Sequence, residues 1–158
     1  MLTRARIKYP DKRSKRLIAG FALFIMGIFI SANISAQCVS FARAIAKPEL
    51  SPFLHDGNYN ATILGEGETI VLRKTVFKGQ KYRLVVKGVS DLPGLRYRVL
   101  DQESEVLFDN ASYDYTSQWD FDVRTTRTLA VEITVLDDNK PQTAIGGCVA
   151  VLFGLQLD

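Results

Sequence analysis

The chain has 158 residues, 47% hydrophobic and 23% charged, with a formal net charge of +3, enough for one ordinary domain whose core needs few staples. Seven of its 20 basic residues and one of its 17 acidic residues fall within the first 36 positions, so the remainder carries 13 against 16. The basic balance belongs to the N-terminus, and the body of the chain gives no support to nucleic-acid binding, which needs a basic patch on the folded domain.

Taken in chain order, residues 1–36 read as an export signal. A basic run (Arg4, Arg6, Lys8, Lys12, Arg13, Lys15, Arg16) meets an apolar stretch from Leu17 to Ile30, and Ser31, Asn33 and Ser35 then interrupt it. That is short of the roughly 20 apolar residues of a membrane helix, and Ala36/Gln37 is the expected cut, with Ala44-Ile45-Ala46 a second match. The expectation is a periplasmic or secreted protein, and the alternative is an uncleaved helix anchoring the chain in the inner membrane and facing the periplasm. Gln37 in place of a small residue before Cys38 argues against a lipoprotein.

Residues 37–58 form a lead-in expected to pack on the domain, mildly helical from Val39 to Ala46 and then broken by Pro48 and Pro52. Residues 59–158 are short segments rich in β-branched and aromatic residues, divided by Gly, Asp, Asn and Pro. Eight strands are predicted, near Asn60–Leu64, Glu68–Phe77, Lys81–Val86, Leu95–Asp101, Glu105–Phe108, Ser117–Val123, Thr128–Leu136 and Cys148–Leu155. Tyr82, Leu84 and Val86, then Leu95, Tyr97 and Val99, then Trp119, Phe121 and Val123, then Leu129, Val131, Ile133 and Val135 recur with period two, as half-buried antiparallel strands do. Turn chemistry separates them at Lys78-Gly79, Asp91-Leu92-Pro93-Gly94, Asp109-Asn110 and Asp137 to Pro141. The last strand, Cys148 to Gly154, is apolar on both faces and therefore central. The fold class is all-β, an antiparallel two-sheet sandwich with jelly-roll-like or Greek-key wiring, preceded by the signal helix.

Two cysteines, Cys38 and Cys148, remain after the signal. An even count in an oxidising compartment favours pairing, with two free buried thiols as the alternative. A bridge would close nearly the whole domain and contribute roughly 4–5 kcal/mol by chain entropy.

No catalytic constellation is legible. His55, the only histidine, sits beside Asp56, but adjacent residues seldom form a relay and no Ser or Cys motif supplies a nucleophile. A structural bond from His55 to backbone carbonyls is the expected role. Asp109, Asp114 and Asp120, with Asp122, gather oxygen ligands of the kind calcium takes, although turn and strand-face positions explain them equally. One His and two Cys do not make a zinc shell, and no cofactor is expected. Tyr113, Asp114 and Tyr115 offer aromatics and a carboxylate in a loop, the means of a sugar- or peptide-binding face. Trp119 reads as core by its phase. Lys81, Arg83, Arg96 and Arg98 form a basic stripe only if their strands are neighbours. Otherwise they face Asp120, Asp122 or Glu132 across a solvated sheet.

Pro52-Phe-Leu-His-Asp-Gly-Asn-Tyr-Asn-Ala61, Glu66-Gly-Glu68, Phe77-x-Gly79-x-x-Tyr82-Arg83, Val106-Leu-Phe-Asp-Asn110 and Gly147-Cys-Val-Ala150 resemble small exported β-sandwich proteins of Bacteroidota-type bacteria. That resemblance implies a periplasmic location and a Cys38–Cys148 bridge, and it carries over no catalytic residue. The Phe-x-Gly-x-x-Tyr entry also resembles pre-peptidase C-terminal and Golgi-dynamics sandwiches, which are accessory modules. Together these readings lead to a non-enzymatic envelope module whose partner is another envelope protein, with a carbohydrate- or calcium-binding module as the alternative.

Overall fold

The computed structural model describes residues 34–137 and 146–157. Its contacts divide the chain into Met1–Ile34 and Ser35–Asp158. The expected signal, apart from its last three residues, and most of the Asp137 to Pro141 turn lie outside the described residues. Among the described residues no helix is long and apolar enough to cross a membrane.

The lead-in begins with α1 (Ile34–Phe41), widens through a π turn (Ala42–Ala46) and tightens into a 3₁₀ turn (Lys47–Leu50). Pro48 does not break it as the sequence suggested. It occupies the start of the 3₁₀ turn, where a backbone N–H has no intrahelical partner to lose.

Among the described residues nine strands follow: β1 (Leu54–His55), β2 (Asn60–Leu64), β3 (Thr69–Val76), β4 (Lys81–Gly88), β5 (Leu95–Leu100), β6 (Val106–Asp109), β7 (Gln118–Asp122), β8 (Arg127–Val135) and β9 (Gly147–Leu155). Eight match the predicted strands to within a few residues at each end. The ninth, β1, is only two residues long and has no periodicity to read. Sheet A runs β1-β9-β4-β7 with β2 also paired to β9, sheet B runs β3-β8-β5-β6, and every pairing is antiparallel. This is jelly-roll wiring.

The core lies between the sheets. Tyr82, Leu84, Val86, Val149, Val151 and Phe153 from sheet A meet Val76, Tyr97, Val99, Phe108, Leu129, Val131, Ile133 and Val135 from sheet B. A second, smaller cluster explains the two-faced apolarity of β9. Val85, Ala150 and Leu152 on the back of sheet A pack against Ala42, Ala46 and Leu50 of the lead-in. The approach is close enough that a Cβ on Gly154 would lie 2.7 Å from the Phe53 Cβ. Cys38 and Cys148 are joined in a disulfide across the same contact, 110 residues apart. At its edge Arg83 makes two 2.7 Å bonds to Asp120, donates to the Ser51 carbonyl at 2.6 Å and lies over the Phe53 ring.

Candidate functional site

The four expected cations do not make one stripe, because β4 and β5 belong to different sheets. Arg83 pairs with Asp120, Arg96 with Asp109 and Arg98 with Glu132, the ordinary cross-strand arrangement. Three of the four cations are thus neutralised in pairs, and Lys81 stands opposite Asp122 in the register of β4 and β7.

His55 is similarly occupied. Its Nδ1 accepts the Gly57 N–H at 3.3 Å, which leaves Nε2 to donate to the Asn58 carbonyl at 3.1 Å, and its ring packs on Tyr59. Asp56 accepts from the Asn58 N–H at 2.9 Å and from the Lys74 ammonium. Burial pushes the Asp56 carboxyl up, but Lys74 and the Asn58 amide outweigh it and hold the group below the usual carboxylate range. Both ring nitrogens are spent on a turn, so His55 has no lone pair with which to take a substrate proton.

The loop predicted to carry ligand-binding residues is built outward from Asn110, which is buried. Its side-chain carbonyl accepts the Tyr97 N–H at 2.8 Å, and its amide donates to the Leu95 and Thr116 carbonyls. Asp109 caps the 3₁₀ turn Asn110–Tyr113 through the Ala111 N–H. The Arg96 guanidinium beside Asp109 holds that carboxyl below its usual range. Beyond the turn, Asp114 and Tyr115 both take left-handed backbone conformations, with φ of 53° and 51°. Such a pair is uncommon outside glycine. The consequence is that Tyr113 and Tyr115 project from an anchored base, with 61% and 48% of their surface exposed.

Tyr113 does not stand alone. Its ring stacks on Phe108 at 5.0 Å, Phe108 on Trp119 at 4.8 Å, Trp119 on Phe121 at 4.2 Å and Phe121 on Tyr82 at 5.6 Å. This column runs along the open side of the sandwich, where β6, an edge of sheet B, and β7, an edge of sheet A, leave a gap. A groove of about 180 Å³ opens there, lined by Val76, Leu107, Trp119, Phe121, Asp122 and Arg127 among others. Exposed Val106 and Leu107 extend its apolar surface.

Trp119 and Phe121, expected in the core, are thus only half-buried and belong to this rim. The phase of β7 was right, but an edge strand's inward face is left partly open where no further strand closes the gap. A sequence signal for the rim does exist in Val106-Leu107-Phe108. Three successive apolar residues on a strand cannot all point inward.

Of the calcium candidates, Asp109 and Asp120 are each bridged to an arginine, on different sheets, and Asp114 is exposed in the loop. Among the described residues no three His, Cys, Asp or Glu side chains come together as a metal shell. A larger hollow of about 460 Å³ is lined by Gly79, Gln80, Lys81, Asp122, Val123, Gln156 and Leu157. It is broad and polar, and the charged residues of its lining, Lys81 and Asp122, are cross-strand partners in β4 and β7.

No family model and no curated protein matches the chain. Among solved structures it is similar to the crystal structure of Aeromonas hydrophila PliG, a periplasmic lysozyme inhibitor of g-type lysozyme, at 12% identity over 66% of this chain and 89% of that one, with a TM-score of 0.48. A likeness at that level assigns nothing to this chain, whose function has to be argued from its own side chains.

Proposed function

We propose that this is an exported, non-enzymatic β-sandwich that acts by binding another protein of the cell envelope through the open side between β6 and β7. The observation that carries the reading is the continuity of exposed Val106, Leu107, Tyr113 and Tyr115 with the stacked Phe108, Trp119 and Phe121. Clustered aromatics with aliphatic neighbours are the composition of interface hot spots, and scattered single apolar residues are not. The satisfied His55 turn supports a role without chemistry.

A photo-crosslinking residue placed at Leu107 in cells tests this reading, with one at Thr128 on the outer face of sheet B as control. A discrete adduct from position 107 and none from 128 is the expected result. Equal adducts, or none from 107, would refute the assignment of the site.

Tyr113 supports a second reading, a glycan-binding face, because Phe108 props its ring from below and leaves much of it in solvent. In that case Tyr113→Ala with Tyr115→Ala abolishes binding on a glycan array and leaves the melting temperature unchanged.

A further inference from the structure

From Asp101 to Asp122 the chain has seven carboxylates and no lysine, arginine or histidine. Arg96 and Arg83 neutralise two of them, Asp109 and Asp120. Those left un-neutralised lie next to the apolar rim in sequence. Asp101 accepts the N–H groups of Glu103 and Glu105 at 3.0 and 2.9 Å, a tight turn that holds two exposed glutamates immediately before Val106. At the other end exposed Asp114 lies between the two projecting tyrosines, and Asp122 lines the groove itself. The cations on this side are Arg127 in the groove lining, Lys78, whose backbone bonds Thr126 beside it, Arg124 on the turn after β7, and Lys81 opposite Asp122 in β4. Among the described residues none of the four forms an ion pair with Glu103, Glu105, Asp114 or Asp122.

We infer that the occupant of this groove is a cationic protein segment that inserts one apolar side chain between Leu107, Trp119 and Phe121 and sets flanking lysines or arginines against Glu103, Glu105 and Asp114. This rests on the interaction reading above and adds the partner's chemistry to it. The groove, at about 180 Å³, is below the roughly 300 Å³ at which small-molecule sites begin, and it has room for a single side chain. Complementary charge at the rim of such a contact governs encounter rate and choice of partner.

Trp119 is the chain's only tryptophan and lines the groove, so its fluorescence reports occupancy directly. The mature protein is titrated with a short capped peptide alternating lysine with valine and phenylalanine, and with its glutamate-for-lysine counterpart. The lysine peptide is expected to shift Trp119 emission saturably and the glutamate peptide to leave it unchanged. The Glu103→Gln, Glu105→Gln, Asp114→Asn triple variant, all exposed positions, is expected to weaken binding about ten-fold or more, with the remaining affinity losing its salt dependence. Equal response to both peptides, no response to either, or full affinity in the triple variant overturns the inference. An emission change with protein concentration alone also overturns it, by making the occupant a second copy. The crosslink at Leu107 is read separately, so a partner found there without this charge preference leaves the interaction reading standing.

Discussion

The outer faces of the two sheets are treated in opposite ways. On sheet B the outward residues of β8 are Thr128, Ala130, Glu132 and Thr134, left to water and tied to their neighbours by pairs such as Thr69–Thr134 and Arg98–Glu132. On sheet A the outward residues of β9 are Cys148, Ala150, Leu152 and Gly154, roofed by the lead-in and fastened by the disulfide. Alternation in β8 and its absence in β9 therefore record which face has a second layer. The segment that supplies that layer is the one that reads, in sequence, as a lead-in packing on the domain.

The largest blow to this asymmetry falls on Leu152, which is fully buried under the lead-in. Leu152→Ala is expected to cost about 2–5 kcal/mol in denaturant unfolding, whereas Thr134→Ala on the bare face stays within about 0.5 kcal/mol. Similar losses at the two positions would show that the roof contributes little. Opening the bridge with Cys38→Ser and Cys148→Ser is expected to remove about 2–4 kcal/mol and to expose the lead-in to proteolysis ahead of the strands. Gly154→Ala, whose added Cβ meets Phe53 at 2.7 Å, comes next, at about 1–3 kcal/mol. An unchanged melting temperature there would mean that the lead-in can move aside.

Acid distinguishes the faces more gently. Glu49, on the lead-in, bonds Lys87 and Ser117 of the body. Burial pushes its carboxyl up, but Lys87 and then Ser117 outweigh that and leave it below its usual range, as Lys74 does for Asp56. A lowered carboxyl contributes stability that is complete above its unfolded value, near pH 4, and is lost as pH falls through the folded value. Unfolding free energy is therefore expected to decline below about pH 4, with a shallower decline in Glu49→Gln. An identical pH slope in wild type and variant would remove Glu49 from this account. Smallest of all, Arg98→Ala at the exposed Glu132 pair is expected to cost under about 1 kcal/mol.

The layer between the sheets was legible because β8 alternates along its length and β4 and β5 along most of theirs, and β9 was legible as central because it does not alternate at all. Three features were hidden for separate physical reasons. β1 is too short to carry a period. Pro48 marks a break on a residue scale, yet the start of a 3₁₀ turn accommodates it. The aromatic rim looked like core because strand phase gives the side a residue faces and says nothing about whether another strand closes the gap above it. Tyr113, Asp114 and Tyr115 were picked out by their chemistry, but the Phe108, Trp119 and Phe121 that support them become neighbours only when β6 and β7 flank the same opening.

The central strand of sheet A is also the last of the described strands. Sheet B is complete once Val135 has been made, whereas β1, β2 and β4 all wait for β9, and Cys38 waits for a partner near the far end. Without β9 sheet A lacks its centre and Cys38 its partner, so the sandwich cannot close on the earlier strands alone. The order of strands acts as a latch whose closing contact spans 110 residues, and closure over so long a stretch is slow because its entropy is lost before the contacts form.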